Sequence, residues 1–182
     1  MYYGACLDAM NPHGAPSMPT LRKLASGPLV AHRLVIFHDP RFYNYQRRML
    51  RAGFRTPCVL TGESFQSTPD LTRADATRDI FQRIILPDIT VIGNEWNVQD
   101  WHPATYPGNQ WAMVEYWNEV VPVIKCLHPQ AVCILGELFS EDADPVDEIN
   151  EILPYLNPRP DGYGYHAYRD SFQQGINRLV RI

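Results

Sequence analysis

The sequence predicts an α/β fold in which six strand–helix units follow one another around a parallel sheet. Apolar segments of strand length alternate along the chain with segments whose apolar residues recur at helical spacing. The strand segments are nearly continuous apolar runs, which is typical of parallel strands buried on both faces. With 182 residues, 45% of them hydrophobic, the chain suffices for one core. We therefore treat residues 1–182 as a single domain.

The individual elements follow in strict alternation. The predicted strands are 2–9, 32–38, 56–64, 89–95, 131–140 and 162–168, and the predicted helices are 19–24, 39–53, 72–86, 109–129, 144–157 and 171–182. Helix ends follow from local signals. Asp39 is a typical N-cap, Pro40 suits the first turn, and Gly53 suits the position after the last turn. In the helix at 72–86 we expect Ile80, Phe81, Ile84 and Ile85 to share the buried face.

A doubly wound open sheet and a closed barrel fit this alternation equally well, and periodicity does not choose between them. Neither a G-x-G-x-x-G motif nor a P-loop follows the first strand, so the sequence does not indicate a nucleotide site.

Composition excludes several classes of function. The net charge of −4 and the pI of about 5.8 argue against a nucleic-acid or anionic-membrane partner. Apolar runs fall short of the roughly 18 residues that a membrane span needs. Because the N-terminus resembles no signal peptide, we expect a cytoplasmic protein, or a secreted one if the sequence is a fragment.

The cysteines and histidines lack the spacing of metal ligands, so we expect no metal and no cofactor. We interpret the four cysteines as buried free thiols in a reducing compartment. They are Cys6, Cys58, Cys126 and Cys133.

Polar side chains stand at the ends of the predicted strands. They are Asp8, His38, Glu63, Asn94 with Glu95, Glu137, and His166 with Tyr168. In parallel α/β folds the carboxyl ends of the strands meet on one face, where catalytic groups collect. Carboxylates, imidazoles and a phenol on one face indicate an acid/base site for a polar, uncharged substrate.

Tryptophans follow the fourth strand. We expect Trp96, together with Trp101, to offer a ring face to a sugar. Trp111 and Trp117 are instead expected on the buried face of the next helix.

Asn94-Glu95 at the end of the fourth strand and His166-x-Tyr168 at the end of the sixth resemble the clan A glycoside hydrolases. The resemblance implies a (β/α)₈ barrel that cleaves glycosidic bonds with retention of configuration. It implies that Glu95 is the general acid/base and that Asn94 contacts the sugar 2-hydroxyl. His166 and Tyr168 match the pair that orients the nucleophile and lines the cleavage subsite.

His38 and Glu137 are further candidates for contact with an oligosaccharide or glycoside substrate. The clan's nucleophile ends the seventh strand, whereas this sequence contains about six of the eight units. We therefore expect a TIM-barrel-like repeat that is truncated, or that is completed by another segment or by a partner subunit. Alone, it would hydrolyse sugar hardly at all.

Two alternatives stay open. The chain would be a non-catalytic carbohydrate-binding or assembly module if it kept the strands of the barrel and lost the nucleophile. A third hypothesis is a different barrel lyase or hydrolase that uses Glu95 with Glu137 or His38, and dependence on a divalent metal would favour it.

Overall fold

The computed structural model of the protein describes residues 3–6, 17–26, 29–36, 40–54, 56–61, 72–86, 88–94, 96, 110–139 and 145–166. The described strands are β1 (Tyr3–Cys6), β2 (Leu29–Ile36), β3 (Thr56–Thr61), β4 (Ile89–Asn94), β5 (Val132–Phe139) and β6 (Gly162–His166). The described helices are α1 (Met18–Ala25), α2 (Pro40–Ala52), α3 (Arg73–Arg83), α4 (Gln110–Leu127) and α5 (Pro145–Ile152), the last followed by a 3₁₀ turn (Leu153–Tyr155). The helix predicted at 171–182 lies outside the described residues.

The six strands form one parallel sheet whose spatial order is the order of the chain, from β1 to β6. A doubly wound sheet reverses its strand order at a switch point, whereas a (β/α) barrel adds each strand beside the previous one. The α/β prediction is therefore confirmed, and the sheet has the order of a barrel fragment. In the described part of the chain β1 and β6 do not pair, so no complete barrel is present.

Local capping explains where the helices begin and end. The Thr72 hydroxyl accepts a hydrogen bond from the backbone N–H of Asp75 at 3.1 Å and so caps α3. Gly53, directly after α2, has a φ of +108°, a conformation that glycine adopts without the strain a side chain would cause. The expected cap Asp39 lies outside the described residues.

The core lies between the sheet and the helices that cross over it. Ile92 of β4 and Cys133 and Leu135 of β5 are fully buried. On α4 the buried residues recur at helical spacing and are Met113, Tyr116, Trp117, Val120, Val121 and Ile124. Fully burying an apolar side chain of this size contributes about 1.5–3 kcal/mol, so α4 is a major source of stability for β4 and β5.

The positions of the buried residues on α4 also explain why the expected burial of Trp111 is wrong. Trp117 is buried as predicted, but Trp111 is 47% exposed and makes an edge-to-face contact with Tyr155 at 5.2 Å between ring centroids. Trp111 precedes Met113 by two positions, which on a helix places it about 200° away from the buried stripe.

Ile85 is a second exception, because it is 46% exposed instead of sharing the buried face with Ile80 and Phe81. Since α3 ends at Arg83, Ile85 no longer follows the helical periodicity. The backbone of Ile85 is held instead by the buried side chain of Gln46, which accepts from its N–H at 2.8 Å and donates to its carbonyl at 2.7 Å.

The cysteine expectation is correct at one of the two described thiols. Cys133 is a buried free thiol, and burial raises its pKa to about 11, so the unreactive thiol form prevails. Cys126 is free but exposed on α4, contrary to the expectation. None of the helices in the described part of the chain has the length and hydrophobicity needed to cross a membrane.

An ion pair and its hydrogen bonds join the last turn of α4 to the amino ends of β5 and β6. Lys125 Nζ lies 2.7 Å from Asp161 Oδ2 and donates to the Ala131 carbonyl at 2.6 Å, and the Cys133 N–H donates to the same Asp161 oxygen at 2.8 Å. Burial acts to raise the pKa of Asp161, but the hydrogen bonds from Lys125 and Cys133 and the charge of Lys125 outweigh it and hold that pKa below its ordinary value.

We predict that Asp161→Asn lowers the free energy of unfolding by about 1 kcal/mol at neutral pH, a modest loss because both partners are partly exposed to solvent. Since the folded-state pKa is lowered, this contribution is fully present above the unfolded pKa of about 3.9 and is lost as the pH falls through the folded value. Urea unfolding at neutral and acidic pH measures the difference. Asp88→Asn, in the exposed stretch before β4, is the control. A difference that stays constant with pH would contradict this role of the carboxylate.

Candidate functional site

The carboxyl ends of β4 and β5 lie side by side. The parallel register runs from Ile89 opposite Val132 to Asn94 opposite Glu137. Because adjacent strands are about 4.8 Å apart, the backbones of Asn94 and Glu137 are direct neighbours. The sheet therefore brings together two residues that are 43 positions apart in the sequence. Both are among the polar residues that the sequence predicts at strand ends.

The end of β5 also contains an irregularity on its other side. The register between β5 and β6 shifts between Leu135 and Leu138, where β5 has one residue more than β6. This bulge includes Gly136 and Glu137. Bulges re-aim side chains and are frequent beside active sites. Beyond it the strands pair again, with His166 opposite Phe139, so β6 delivers His166 to the same edge of the sheet.

Two glycines allow β4 and β5 to approach closely just before Asn94 and Glu137. A Cβ on Gly136 would overlap the carbonyl oxygens of Ile92 and Gly93. Gly93 has a φ of +88°, and a Cβ there would lie 2.9 Å from Met113 Sδ. No side chain fits at Gly136 unless the backbone of β4 moves.

Trp96 fills the space next to these glycines. Its side chain is 0% exposed, its Cδ1 would lie 3.2 Å from a Cβ on Gly93, and its indole N–H donates to the Gly136 carbonyl at 3.4 Å. This corrects the expectation that Trp96 stacks on a sugar, because a fully buried ring offers no face to a ligand. The indole instead packs between the ends of β4 and β5 and the first turns of α4.

The predicted site residues thus fall into two groups. The structure places the backbones of Asn94, Glu137 and His166 at one edge of the sheet. The side chains of these three residues lie outside the described part of the chain, as do the whole residues Asp8, His38, Glu63, Glu95, Trp101 and Tyr168.

Sequence reasoning missed the importance of Gly93, Gly136 and Met113. A signal was present, since an isolated glycine within an apolar strand often marks a bulge or a close backbone approach. In the ranges that the structure describes, no group of three or more His, Cys, Asp or Glu residues could hold a metal ion.

No protein-family model matches the sequence, and no curated protein matches it. Among solved structures, the chain is similar in fold to the GH53 catalytic domain of Ignisphaera aggregans, a clan A glycoside hydrolase domain, with a TM-score of 0.63 and 14% sequence identity. The similarity covers 98% of this chain and 59% of that one. At this identity the similarity shows the fold alone, an α/β arrangement of barrel type, and the chain spans little more than half the length of that domain.

We predict that Gly136→Ala destabilises the protein by about 3 kcal/mol or more, because the new methyl group meets the rigid backbone of β4. Gly162→Ala is the matched control, since a Cβ there would meet only Ile134 Cγ1 at 3.7 Å, an ordinary contact. Its stability should stay within about 0.5 kcal/mol of the original. Urea unfolding compares the two variants, and equal stability would contradict the close approach of the strands.

Proposed function

We propose that the chain forms the acid/base half of a retaining O-glycoside hydrolase site, with Glu95 as the general acid/base. The observation that carries this proposal is the pairing of Asn94 with Glu137 at the carboxyl ends of adjacent strands. It occurs in a sheet of sequential parallel order, and the fold is similar to that of a glycoside hydrolase catalytic domain. Glu95 follows directly on the last residue of β4.

A general acid works best where apolar surface disfavours the charged form of its carboxyl group. Trp96, the residue that follows Glu95 in the chain, is fully buried. In the proposed reaction the protonated Glu95 donates its proton to the glycosidic oxygen as the bond to the leaving group breaks. The resulting carboxylate then deprotonates the attacking water in the second step.

The other residues bind the sugar in this proposal. Asn94 donates a hydrogen bond to the 2-hydroxyl, a contact that strengthens as positive charge develops on the sugar ring. Glu137 and His166 reach the same edge from β5 and β6 and contact further hydroxyl groups. Tyr168 and His38 are the remaining residues that we propose to contact the sugar.

Retention requires a second carboxylate about 5–5.5 Å from the first, which acts as nucleophile. We assign Glu137 to substrate contact because it lies near the end of the strand adjacent to β4 and not on a strand across the barrel. The nucleophile would then come from a further strand, supplied by additional sequence or by a partner subunit.

A carbohydrate-binding module without catalysis is the second candidate. In this proposal the sheet edge at Asn94 and Glu137 binds the sugar, and no nucleophile is required. Isothermal calorimetry with oligosaccharides, combined with product analysis on the protein that includes any further strand, separates the two proposals, because a binding module gives a binding heat and no released product.

We predict that Glu95→Gln, in the protein completed by the strand that carries the nucleophile, lowers the hydrolysis of unactivated oligosaccharides by about 10²- to 10⁴-fold, the usual contribution of a positioned general acid. Nitrophenyl glycosides should lose much less activity in the first step, because their leaving group needs no proton. The measurement is product release from both substrates. Glu115→Gln, on the exposed face of α4, is the control and should keep its activity. If Glu95→Gln cleaves unactivated substrates as fast as the original protein does, Glu95 is not the acid.

A further inference from the structure

Two aromatic rings on the outer side of α4 are accessible to solvent and contact each other. Trp111 is 47% exposed and Tyr155, in the 3₁₀ turn after α5, is 56% exposed. Their ring centroids are 5.2 Å apart at an interplanar angle of 68°, an edge-to-face arrangement. In such a pair one ring contributes only its edge, so its partner covers neither of its faces. We call these two residues the aromatic corner.

Hydrogen bonds on both sides hold the aromatic corner in place. The Gln110 side-chain amide donates to the Glu151 carboxylate at 3.1 Å. The Asn118 side chain donates to the Tyr155 carbonyl at 3.0 Å and accepts from the Asn157 backbone N–H at 2.8 Å. These bonds join α4 to α5 and to the 3₁₀ turn. The two rings are therefore preorganised, and binding a ligand costs little side-chain entropy.

The size of the aromatic corner fits a sugar better than a protein. An aromatic side chain offers about 150–250 Å² of surface, so the accessible halves of the two rings give roughly 200 Å² together. A stable protein interface buries about 800 Å² on each partner, far more than this pair supplies. One or two sugar rings need only a surface of this smaller size.

The chemistry of the aromatic corner also suits a neutral sugar. The C–H groups on one face of a sugar ring carry slight positive charge, and the face of an aromatic ring is negative. Sugar hydroxyl groups need hydrogen-bonding partners at the rim. The exposed Glu151 carboxylate can accept more hydrogen bonds than the one from Gln110, and its negative charge disfavours an anionic ligand.

The aromatic corner lies at the same end of the sheet as the proposed sugar edge. A Cβ on Gly93, next to the end of β4, would lie 2.9 Å from Met113 Sδ, so the first turn of α4 stands beside that end. Trp111 lies on the opposite side of the same turn, about 10 Å away across the helix. The two surfaces are therefore separate and close together.

We infer that Trp111 and Tyr155 form a second carbohydrate-binding surface, which takes a neutral oligosaccharide by stacking a sugar ring on an exposed aromatic face. This surface goes beyond the proposed reaction and does not depend on the role of Glu95. It holds a sugar chain beside the sheet edge and carries out no chemistry.

The test is an NMR titration of the full chain, labelled with nitrogen-15, with cello-, galacto-, manno- and xylo-oligosaccharides in turn. The indole N–H signal of Trp111, assigned by its absence in Trp111→Phe, reports on the aromatic corner. The amide signals of Asn94 and His166 report separately on the sheet edge. We expect the Trp111 signal to shift and to saturate with at least one of these sugars.

Two variants measure the contribution of each ring. Trp111→Ala, followed at the Tyr155 amide, and Tyr155→Ala, followed at the Trp111 indole, should each weaken this binding at least about fivefold, because a large aromatic contact is lost. Ile85→Ala is the matched control, since Ile85 is equally exposed at 46% but is not aromatic. Its affinity for the sugar should stay unchanged.

Three results would overturn the inference. They are a Trp111 signal that shifts with none of the four sugars, equal weakening by Ile85→Ala, and a signal that moves with protein concentration and not with sugar. The last result would make the aromatic corner a contact between two copies of the chain. A saturable shift at Trp111 without one at Asn94 or His166 would refute the sugar edge and leave the second surface intact.

Discussion

The close approach of β4 and β5 at Gly93 and Gly136 is the constraint on which the candidate site depends. A side chain at Gly136 would overlap the β4 backbone, so the approach requires glycine at this position. The approach is stabilised by the indole of Trp96, which lies in the core and bonds to the Gly136 carbonyl. Asn94 and Glu137 follow these glycines directly, so the backbone at this polar edge of the sheet is positioned by a buried, tightly packed junction.

Different kinds of interaction stabilise the two ends of β5. At the amino end, the Lys125–Asp161 ion pair and its hydrogen bonds to Ala131 and Cys133 fix β5 against β6. These groups are partly exposed, so water screens the pair and each bond contributes modestly. At the carboxyl end the contacts are apolar and buried. None of the described contacts of this junction uses a charged side chain.

Much of the fold could be predicted from the sequence, because it depends on local signals. Apolar runs marked every described strand, and caps such as Pro40 and Gly53 marked helix ends. Whether the sheet was doubly wound or sequential could not be read from periodicity, since both give the same alternation of strands and helices.

The three wrong predictions of burial have a common cause. Trp111, Ile85 and Cys126 were assigned by hydrophobicity, whereas their exposure depends on the phase of a helix or on where it stops.

The placement of three candidate residues at one edge of the sheet was predictable for a related reason, and the packing around them was not. Strands and helices alternate along the chain, so all strands of the parallel sheet point the same way. Residues near the carboxyl ends of these strands therefore lie at the same edge, as Asn94, Glu137 and His166 do. The burial of Trp96 depends on the space left by Gly93 and on the carbonyl of Gly136, 40 residues away. A contact between such distant residues leaves no trace in the local pattern, so the sequence predicts a sugar-stacking ring where the structure has a buried core residue.

The most direct test of the account is an NMR titration of the isotopically labelled chain with cello-, galacto-, manno- and xylo-oligosaccharides in turn. Binding at the proposed edge should perturb the amide signals of Asn94, Glu95, Glu137 and His166 for at least one of these sugars. The signals at the opposite end of the sheet, such as those of Val132 and Asp161, should stay unchanged. Perturbations confined to that opposite end, or the absence of any perturbation with all four sugars, would contradict the central claim that the carboxyl edge of this sheet is a carbohydrate site.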